Sequence, residues 1–299
     1  MRAFFIALVA SFASVTSATS IIFTGDILLD RGVRKTIEHH GAAYLFDKHI
    51  DSVLKEADIV VGNLECPVTT IKAPMQKRFI FRGEPQWLPI LKQHGFTHLN
   101  LANNHSVDQG RGGLMDTRKN IIHAGMTPVG AGKDMNEAAE PVLLTEHPRK
   151  VWLIASLHMA LENYAYLPDK PSVNQESTAD IVKRIKAIKQ KDPQAVVIVS
   201  LHWGAEHTLK PTPSQRLEAH RLIQAGADAL VCHHTHTQQT VERYHGRPVY
   251  YSIGNFIFDQ QKPINSQACM VKIEVTPDSV KTTAIPISIK HCVPQLSPN

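Results

Sequence analysis

Cysteine is scarce in this sequence. There are four cysteines in 299 residues and no Cys-x-x-Cys pair, so the chain carries no zinc-knuckle pattern. Four cysteines allow three fully paired arrangements, and the sequence does not choose among them. Cys269 and Cys292 lie in the β-rich C-terminal part and could pair. Three roles stay open for Cys232, in order of preference: a core residue, a disulfide partner of Cys66, or a soft metal ligand.

Two further patterns are missing. No block of lysine and arginine with interleaved aromatic residues occurs, so the sequence does not support a nucleic-acid partner. The net charge of +5 is small for a chain of this length and is typical of a solubility feature. A hydrophobic content of 43% indicates an ordinary globular protein.

The only long apolar run lies at the N-terminus and, at about a dozen residues, is too short to span a bilayer comfortably. MRAFFIALVASFASVTSATS places Arg2 before this run and small residues up to Ala18, which is typical of a secretory signal over residues 1–18. We expect export to the periplasm or cell surface, with an uncleaved N-terminal anchor as the variant. The other interpretation is a buried first strand or helix.

Short apolar runs alternate with amphipathic stretches through the middle of the chain, as in AVVIVSLHW followed by PSQRLEAHRLIQAG. Continuous Val, Ile and Leu runs indicate strands buried on both faces, and the amphipathic stretches indicate helices that cover them. The later segments GRPVYYSIGNF and ACMVKIEVTPD indicate strands without helices. The pattern predicts one α/β domain over residues 19–299 with a β-rich C-terminal part.

Polar groups follow five of the predicted strands. They are Asp26, Asn63 with Glu65, Asn103 to His105, His202, and the histidines of VCHHTHTQQT. Ligands bind in the crevice outside the carboxyl ends of strands in α/β sheets, so we expect these groups to share one site. Carboxylate, amide and imidazole together suit a divalent cation such as manganese, zinc or iron.

Several blocks, in this order from about residue 21 to about residue 260, resemble the CapA family of bacterial capsule and poly-γ-glutamate synthesis proteins: TGDILLD, VGNLECPVTT, FRGEPQWLPILKQHGFTHLNLANNHSVDQG, LHWGAEH and GADALVCHHTHTQQTVERYHGRPVYYSIGNFIFD. The resemblance implies the calcineurin-like metallophosphoesterase fold. That fold is a four-layer sandwich in which helices flank two mixed β-sheets.

The resemblance also implies the site residues. The metal ligands it implies are Asp26, Glu65, Asn104, His202, His234 and His236. His105 would act as an acid or electrostatic stabiliser with Asp108 orienting its ring, and Arg82 would bind substrate. His233 competes with His234 as a ligand. The first motif has Leu28 where metallophosphoesterases carry a histidine, so one or two ions are expected.

Three functions are consistent with these residues. The first is a metal-dependent hydrolase that cleaves a phosphoester or a capsule-polymer linkage with water activated by the cation. The second is a non-catalytic accessory protein that binds an anionic polymer and works with the capsule-export machinery. The third, less favoured, is metal-assisted epimerisation of a peptide residue. The sequence leaves the oligomeric state open.

Overall fold

The structure is a computed structural model that describes residues 18–260 and 262–297. The predicted signal therefore lies outside the described residues, apart from Ala18. No helix within these two ranges is both long enough and apolar enough to cross a membrane.

The described ranges contain strands, seven α-helices and short 3-10 turns. The strands are β1 (Thr19–Ile27), β2 (Ile59–Leu64), β3 (His98–Asn100), β4 (Thr127–Val129), β5 (Ala131–Gly132), β6 (Val142–Thr145), β7 (Val151–His158), β8 (Ser172–Val173), β9 (Val196–Trp203), β10 (Ala229–Val231), β11 (Val241–Tyr244), β12 (Arg247–Tyr250), β13 (Asn255–Ile257), β14 (Gln267–Val275), β15 (Val280–Lys290) and β16 (Val293–Leu296). The helices are α1 (Arg31–His40), α2 (Lys48–Lys55), α3 (Leu88–Gln93), α4 (Gly110–His123), α5 (Met135–Ala138), α6 (Thr178–Lys191) and α7 (Pro213–Ala225).

The strands form two large mixed sheets. The first has the order β16-β15-β14-β1-β2-β3-β4, with β13 also paired to β1, and the second has the order β11-β12-β10-β9-β7-β6. β1, β2, β3 and β4 run parallel, as do β7, β9 and β10. β2 and β9 are buried along their whole length, which explains their unbroken apolar sequences.

The two sheets pack face to face, with helices on both outer sides. Ile21 and Phe23 of β1 share an apolar cluster with Leu153, Ile198 and Val231 of the second sheet. A second cluster joins helices α1 to α4 to the outer face of the first sheet, and a third joins α6 and α7 to the second. These are the four layers that the resemblance described above implies.

Local sequence fixes where the helices of the outer layers begin and end. Before α7, the Thr212 hydroxyl accepts a hydrogen bond from the Gln215 backbone while the Gln215 side chain accepts from the Thr212 backbone. This capping box satisfies two backbone donors that the first turn would leave free. Gly226 then ends the helix with a left-handed φ of +116°, which glycine adopts without a Cβ penalty.

All four cysteines are buried and free, so neither a Cys66–Cys232 nor a Cys269–Cys292 disulfide is formed. Cys232 lies in the apolar cluster beneath α6 and α7, which is the core role that the sequence favours. Burial raises its pKa to about 12, so the thiol is neutral, and Cys232 belongs to neither of the two groups of metal-ligating side chains described below.

Candidate metal centre

The predicted site lies where parallel strands of both sheets end. Asp26 is near the end of β1, Glu65 directly follows β2, and His202 is near the end of β9. All three side chains are fully buried. The two sheets therefore bring their carboxyl ends to one place, as the α/β pattern predicts.

Five of the predicted ligands form two groups that share Glu65. Glu65, His202 and His234 form one group, and Asp26, Glu65 and His236 form the other. Within each group, one ligand atom per residue lies within 4.8 Å of the others. Two triads with a common carboxylate could hold one or two cations.

Several ligand atoms are buried without a hydrogen-bond partner among the described residues. They are Asp26 Oδ2 and both carboxylate oxygens of Glu65. A buried polar atom that lacks a partner is costly and calls for an explanation such as a missing ion. Carboxylate and imidazole donors together suit manganese, zinc or iron, so the residues present fit a divalent cation.

The two carboxylates respond to burial in opposite ways. Burial acts to raise the pKa of Asp26, but the neighbouring imidazoles of His233 and His236 outweigh it and hold this pKa well below its usual value. Burial raises the pKa of Glu65 well above its usual value, and the nearby negative charge of Asp26 raises it further. Without a cation, Glu65 is the member of the cluster whose charge is least compensated.

The pKa values of the three triad histidines are also shifted in opposite directions. Burial lowers the pKa of His202 well below its usual value, and burial together with His236 lowers that of His234 to about 4. Neutral imidazoles are the form that binds a metal. For His236 burial acts downward as well, but Glu65 and Asp26 raise its pKa to about 9. His236 therefore supplies the positive charge that partly balances the two carboxylates when no cation is present.

The histidine-rich segment after β10 is a turn and not a continued strand. His234 has a φ of +98° and His236 a φ of +56°, both in the left-handed region. Residues with a Cβ adopt this conformation at a cost, and such residues concentrate at functional sites. The turn directs the His234 imidazole to one triad and the His236 imidazole to the other, which explains why histidines alternate in this stretch.

Two asparagine side chains contact the triad residues Asp26 and His236. The Asn63 side chain donates to Asp26 Oδ1 over 2.8 Å, and Asn255 Oδ1 lies 2.9 Å from His236 Nδ1. Asn255 follows Gly254, whose φ is +80° and whose carbonyl accepts from the Asp26 backbone. A Cβ on Gly25 would come within 2.1 Å of that carbonyl oxygen, so glycine is required there. These contacts place Gly254 and Asn255 of the YSIGNF motif next to Asp26 and His236.

Asn104, His105 and Asp108 lie beside the two triads. Asn104 Oδ1 is 2.9 Å from His202 Nε2, so the amide oxygen points to the same ligand group. His105 Nδ1 is 2.8 Å from Asp108 Oδ2, the contact expected if Asp108 orients the ring. Burial lowers the pKa of His105 although the hydrogen bond with Asp108 opposes that shift. Asn104 and His105 both line a small cleft of about 60 Å³.

The Arg82 guanidinium, predicted to bind substrate, is bonded within the protein. Its guanidinium donates to both carboxylate oxygens of Glu84, at 3.1 and 2.5 Å, and to the Thr69 carbonyl at 2.7 Å. The planar fork that would clamp a substrate anion is engaged within the protein. Arg82 also does not line the cleft next to His105. These contacts give Arg82 a place in the structure of the loop, and substrate binding by Arg82 stays a prediction.

The geometry separates the competing histidines. His234 belongs to a triad, whereas His233 does not and instead places Nδ1 3.4 Å from Asp26 Oδ1. Leu28, at the position of the missing histidine, is fully buried in an apolar cluster. Three charged residues that line the cleft, Lys77, Glu162 and Glu206, were not predicted. Lys77 lies outside every strand-end group, so only the folded chain brings it to the site.

Solved structures resemble this fold at low sequence identity. A hypothetical protein from Thermus thermophilus gives a TM-score of 0.53 at 13% identity, covering 90% of this chain and 99% of the other. The NAD nucleotidase of Haemophilus influenzae gives 0.51 at 12% identity, covering 91% of this chain and 56% of the other. These similarities confirm the α/β fold of two mixed sheets flanked by helices and carry no information on substrate.

Sequence relatives are closer. The capsule biosynthesis protein CapA of Bacillus anthracis is 29% identical over 285 residues, covering 92% of this chain and 69% of the relative. The PGA biosynthesis protein CapA of Bacillus subtilis is 29% identical over 279 residues, covering 92% of this chain and 73% of the relative. A probable polyglutamine synthesis accessory protein of Mycobacterium tuberculosis is 29% identical, covering 81% of this chain and 75% of the relative.

The family model described as "Bacterial capsule synthesis protein PGA_cap" matches residues 20–260, which contain both triads, the His105–Asp108 pair and the YSIGNF motif. The chain belongs to this family, the CapA-like capsule and poly-γ-glutamate synthesis proteins.

Proposed function

We propose that this protein is an exported, metal-dependent hydrolase that acts on an anionic substrate of capsule or poly-γ-glutamate metabolism. One observation carries the proposal: three buried carboxylate oxygens of Asp26 and Glu65 have no hydrogen-bond partner among the described residues, and three histidines surround them. Hydrolysis of a phosphoester or of a polymer linkage is the reaction class that fits a metallophosphoesterase-like site. The predicted signal over residues 1–18 supports export.

The ligand assignment follows the two triads. Glu65 would be shared, Asp26 and His236 would hold one cation, and His202, His234 and Asn104 would hold the other. A divalent cation at this place supplies Lewis acidity, which makes water nucleophilic near neutral pH and neutralises charge on substrate oxygens. Asn63 and Asn255 keep Asp26 and His236 oriented toward the centre.

His105 is the residue proposed to move a proton. Its Nδ1 is engaged by Asp108, so Nε2 is the atom left to exchange a proton with a leaving group. The ring is 6% exposed and lies 4.3 Å, centroid to centroid, from Phe81, which restricts its orientation and excludes water from one face. Replacing it removes proton transfer while the ligand set remains.

The experiment that tests the metal centre is elemental analysis of the mature chain purified without chelator. The His234→Ala, His236→Ala double variant is compared with His98→Ala, a control histidine that is also buried but bonds to Thr97 outside the cluster. About two ions per chain that disappear in the double variant and persist in the control are expected. No ion, even after manganese, zinc or iron is added, would contradict the proposal.

Catalysis is tested separately with bis(p-nitrophenyl) phosphate and with a γ-glutamyl polymer. His105→Ala is expected to reduce turnover by about 10²- to 10⁴-fold while the metal content stays at the wild-type level. Unchanged turnover would remove His105 from the mechanism.

A non-catalytic accessory role is the second candidate. Leu28 supports it, because a fully buried leucine replaces one expected histidine ligand. The Mycobacterium tuberculosis relative is itself described as a probable accessory protein. If this role is correct, polymer binding survives Glu65→Gln and His202→Ala, whereas a hydrolase loses its function with either change.

A further inference from the structure

A buried lysine beside the metal centre has no part in the mechanism above. Lys77 belongs to the loop between β2 and α3, and its side chain is only 4% exposed. It lines the same small cleft as Asn104 and His105. Lysine is almost never buried unless it is paired, so its partners indicate what it does.

The ammonium of Lys77 has two partners, and both belong to the proposed site. Nζ donates to Asp108 Oδ1 over 2.5 Å and to the backbone carbonyl oxygen of Asn104 over 2.7 Å. The other oxygen of Asp108 accepts from the Phe81 backbone over 2.8 Å and faces His105 Nδ1. One positive charge therefore contacts the main chain of a proposed ligand and the carboxylate that orients the proposed acid.

This arrangement fixes both neighbours. Asp108 is fully buried, and a buried carboxylate that loses its countercharge is left uncompensated. With Lys77 on one oxygen and Phe81 and His105 on the other, the carboxyl plane has one favourable orientation. The hydrogen bond at one nitrogen of an imidazole sets which nitrogen carries the proton, so the orientation of Asp108 determines the tautomer of His105.

We propose that Lys77 is a positioning residue of this centre. Its ammonium holds the Asn104 main chain and the Asp108 carboxylate, and through them it aims the Asn104 amide oxygen at the cation and the His105 ring at the substrate. The part that concerns Asn104 rests on the metal site proposed above. The part that concerns His105 does not require a metal.

The test uses the mature chain with Lys77→Met, Lys77→Arg and a matched control, Lys189→Met. Lys189 makes the same pair of contacts elsewhere in the fold, to the Asp228 carboxylate over 2.7 Å and the Ala195 carbonyl over 2.5 Å. Thermal unfolding confirms that each variant is folded. Manganese affinity is measured by calorimetric titration, and the Nδ1–H signal of His105 by NMR of protein labelled with ¹⁵N-histidine, with His105→Gln to assign it.

Lys77→Met is expected to weaken manganese binding on the order of tenfold, the usual effect of losing a group that orients a ligand. It should also abolish the Nδ1–H signal of His105. Lys77→Arg, which keeps a charged donor, should restore most of both properties, and Lys189→Met should change neither.

Wild-type affinity and an intact signal in folded Lys77→Met would overturn the proposal, as would equal losses in Lys189→Met. If the wild type binds no manganese, the proposed metal function fails, and the imidazole signal alone decides the role of Lys77. If Lys77→Met does not fold, the charge-neutral Lys77→Met, Asp108→Asn variant replaces it. Weakened manganese binding is then expected, and unchanged binding refutes the role.

Discussion

Replacing Glu65 with glutamine should stabilise the metal-free protein and remove its stabilisation by metal. Glu65 is fully buried, neither carboxylate oxygen has a hydrogen-bond partner among the described residues, and its pKa is raised well above the usual 4.5. A carboxyl group whose pKa is higher in the folded chain binds its proton more tightly there, so stability falls as the pH rises above 4.5. At pH 7 this cost reaches at most about 3.4 kcal/mol, from 1.36 kcal/mol for each of the 2.5 pH units above 4.5. Glutamine keeps the shape and removes the charge.

The metal side of the prediction has its own magnitude. A ligand present at 100 times its Kd stabilises the folded state by about 2.7 kcal/mol. For a chain of this size 1 kcal/mol corresponds to about 2–4 °C in Tm, so manganese should raise the wild-type Tm by about 5–10 °C. Glu65→Gln should show a higher Tm than wild type in EDTA and almost no increase with manganese.

Differential scanning fluorimetry at pH 7, with EDTA or manganese, measures both effects. Glu56→Gln, at an exposed position, is the control for the chemical change and should leave both values unchanged. A variant that is less stable than wild type in EDTA, yet still gains several degrees from manganese, would refute the assignment of Glu65 as the shared ligand.

Three further predictions concern the rest of the fold. The pKa of His236 is raised to about 9, so its protonated ring stabilises the metal-free protein fully below pH 6.5, and this stabilisation is lost as the pH rises through 9. Denaturation measured in EDTA at several pH values should show the loss. His236→Gln should make the free energy of unfolding less dependent on pH over this range. Gly25→Ala should lower the free energy of unfolding by at least about 1–3 kcal/mol, because the added Cβ overlaps the Gly254 carbonyl oxygen. A urea denaturation curve that matches that of the wild type would contradict this contact. In protein that has not been treated with a reductant, four thiols should react with Ellman's reagent in guanidinium and almost none in the folded state. Two or fewer reactive thiols in guanidinium would indicate a disulfide.

The sequence predicts the layers and most of the site because each depends on local pattern. Strands such as β9 are buried along their length and read as continuous apolar runs, and the polar residue that follows each strand falls at its carboxyl end. Contacts between distant segments leave no such pattern. Lys77 bonds to Asp108, which lies 31 positions further along the chain. Arg82 bonds to Glu84 because of a loop conformation that residue types alone do not specify. The signal at residues 1–18, the single-domain organisation and the roles of the site residues stay predictions.

The arrangement around the cleft bears on whether the protein is a hydrolase or an accessory protein. A metal that only stabilised a binding scaffold would explain the two triads and the partnerless oxygens of Glu65. It would not explain why the His105 imidazole beside them is bonded through Nδ1 to the buried Asp108 carboxylate. Nor would it explain why the buried Lys77 ammonium bonds to the other oxygen of that carboxylate. Burying a charge pair costs desolvation energy and stabilises a fold weakly at best, so the Lys77–Asp108 pair is better explained by what it orients. What it orients is one nitrogen of His105 at the mouth of the metal centre, and this favours the hydrolase.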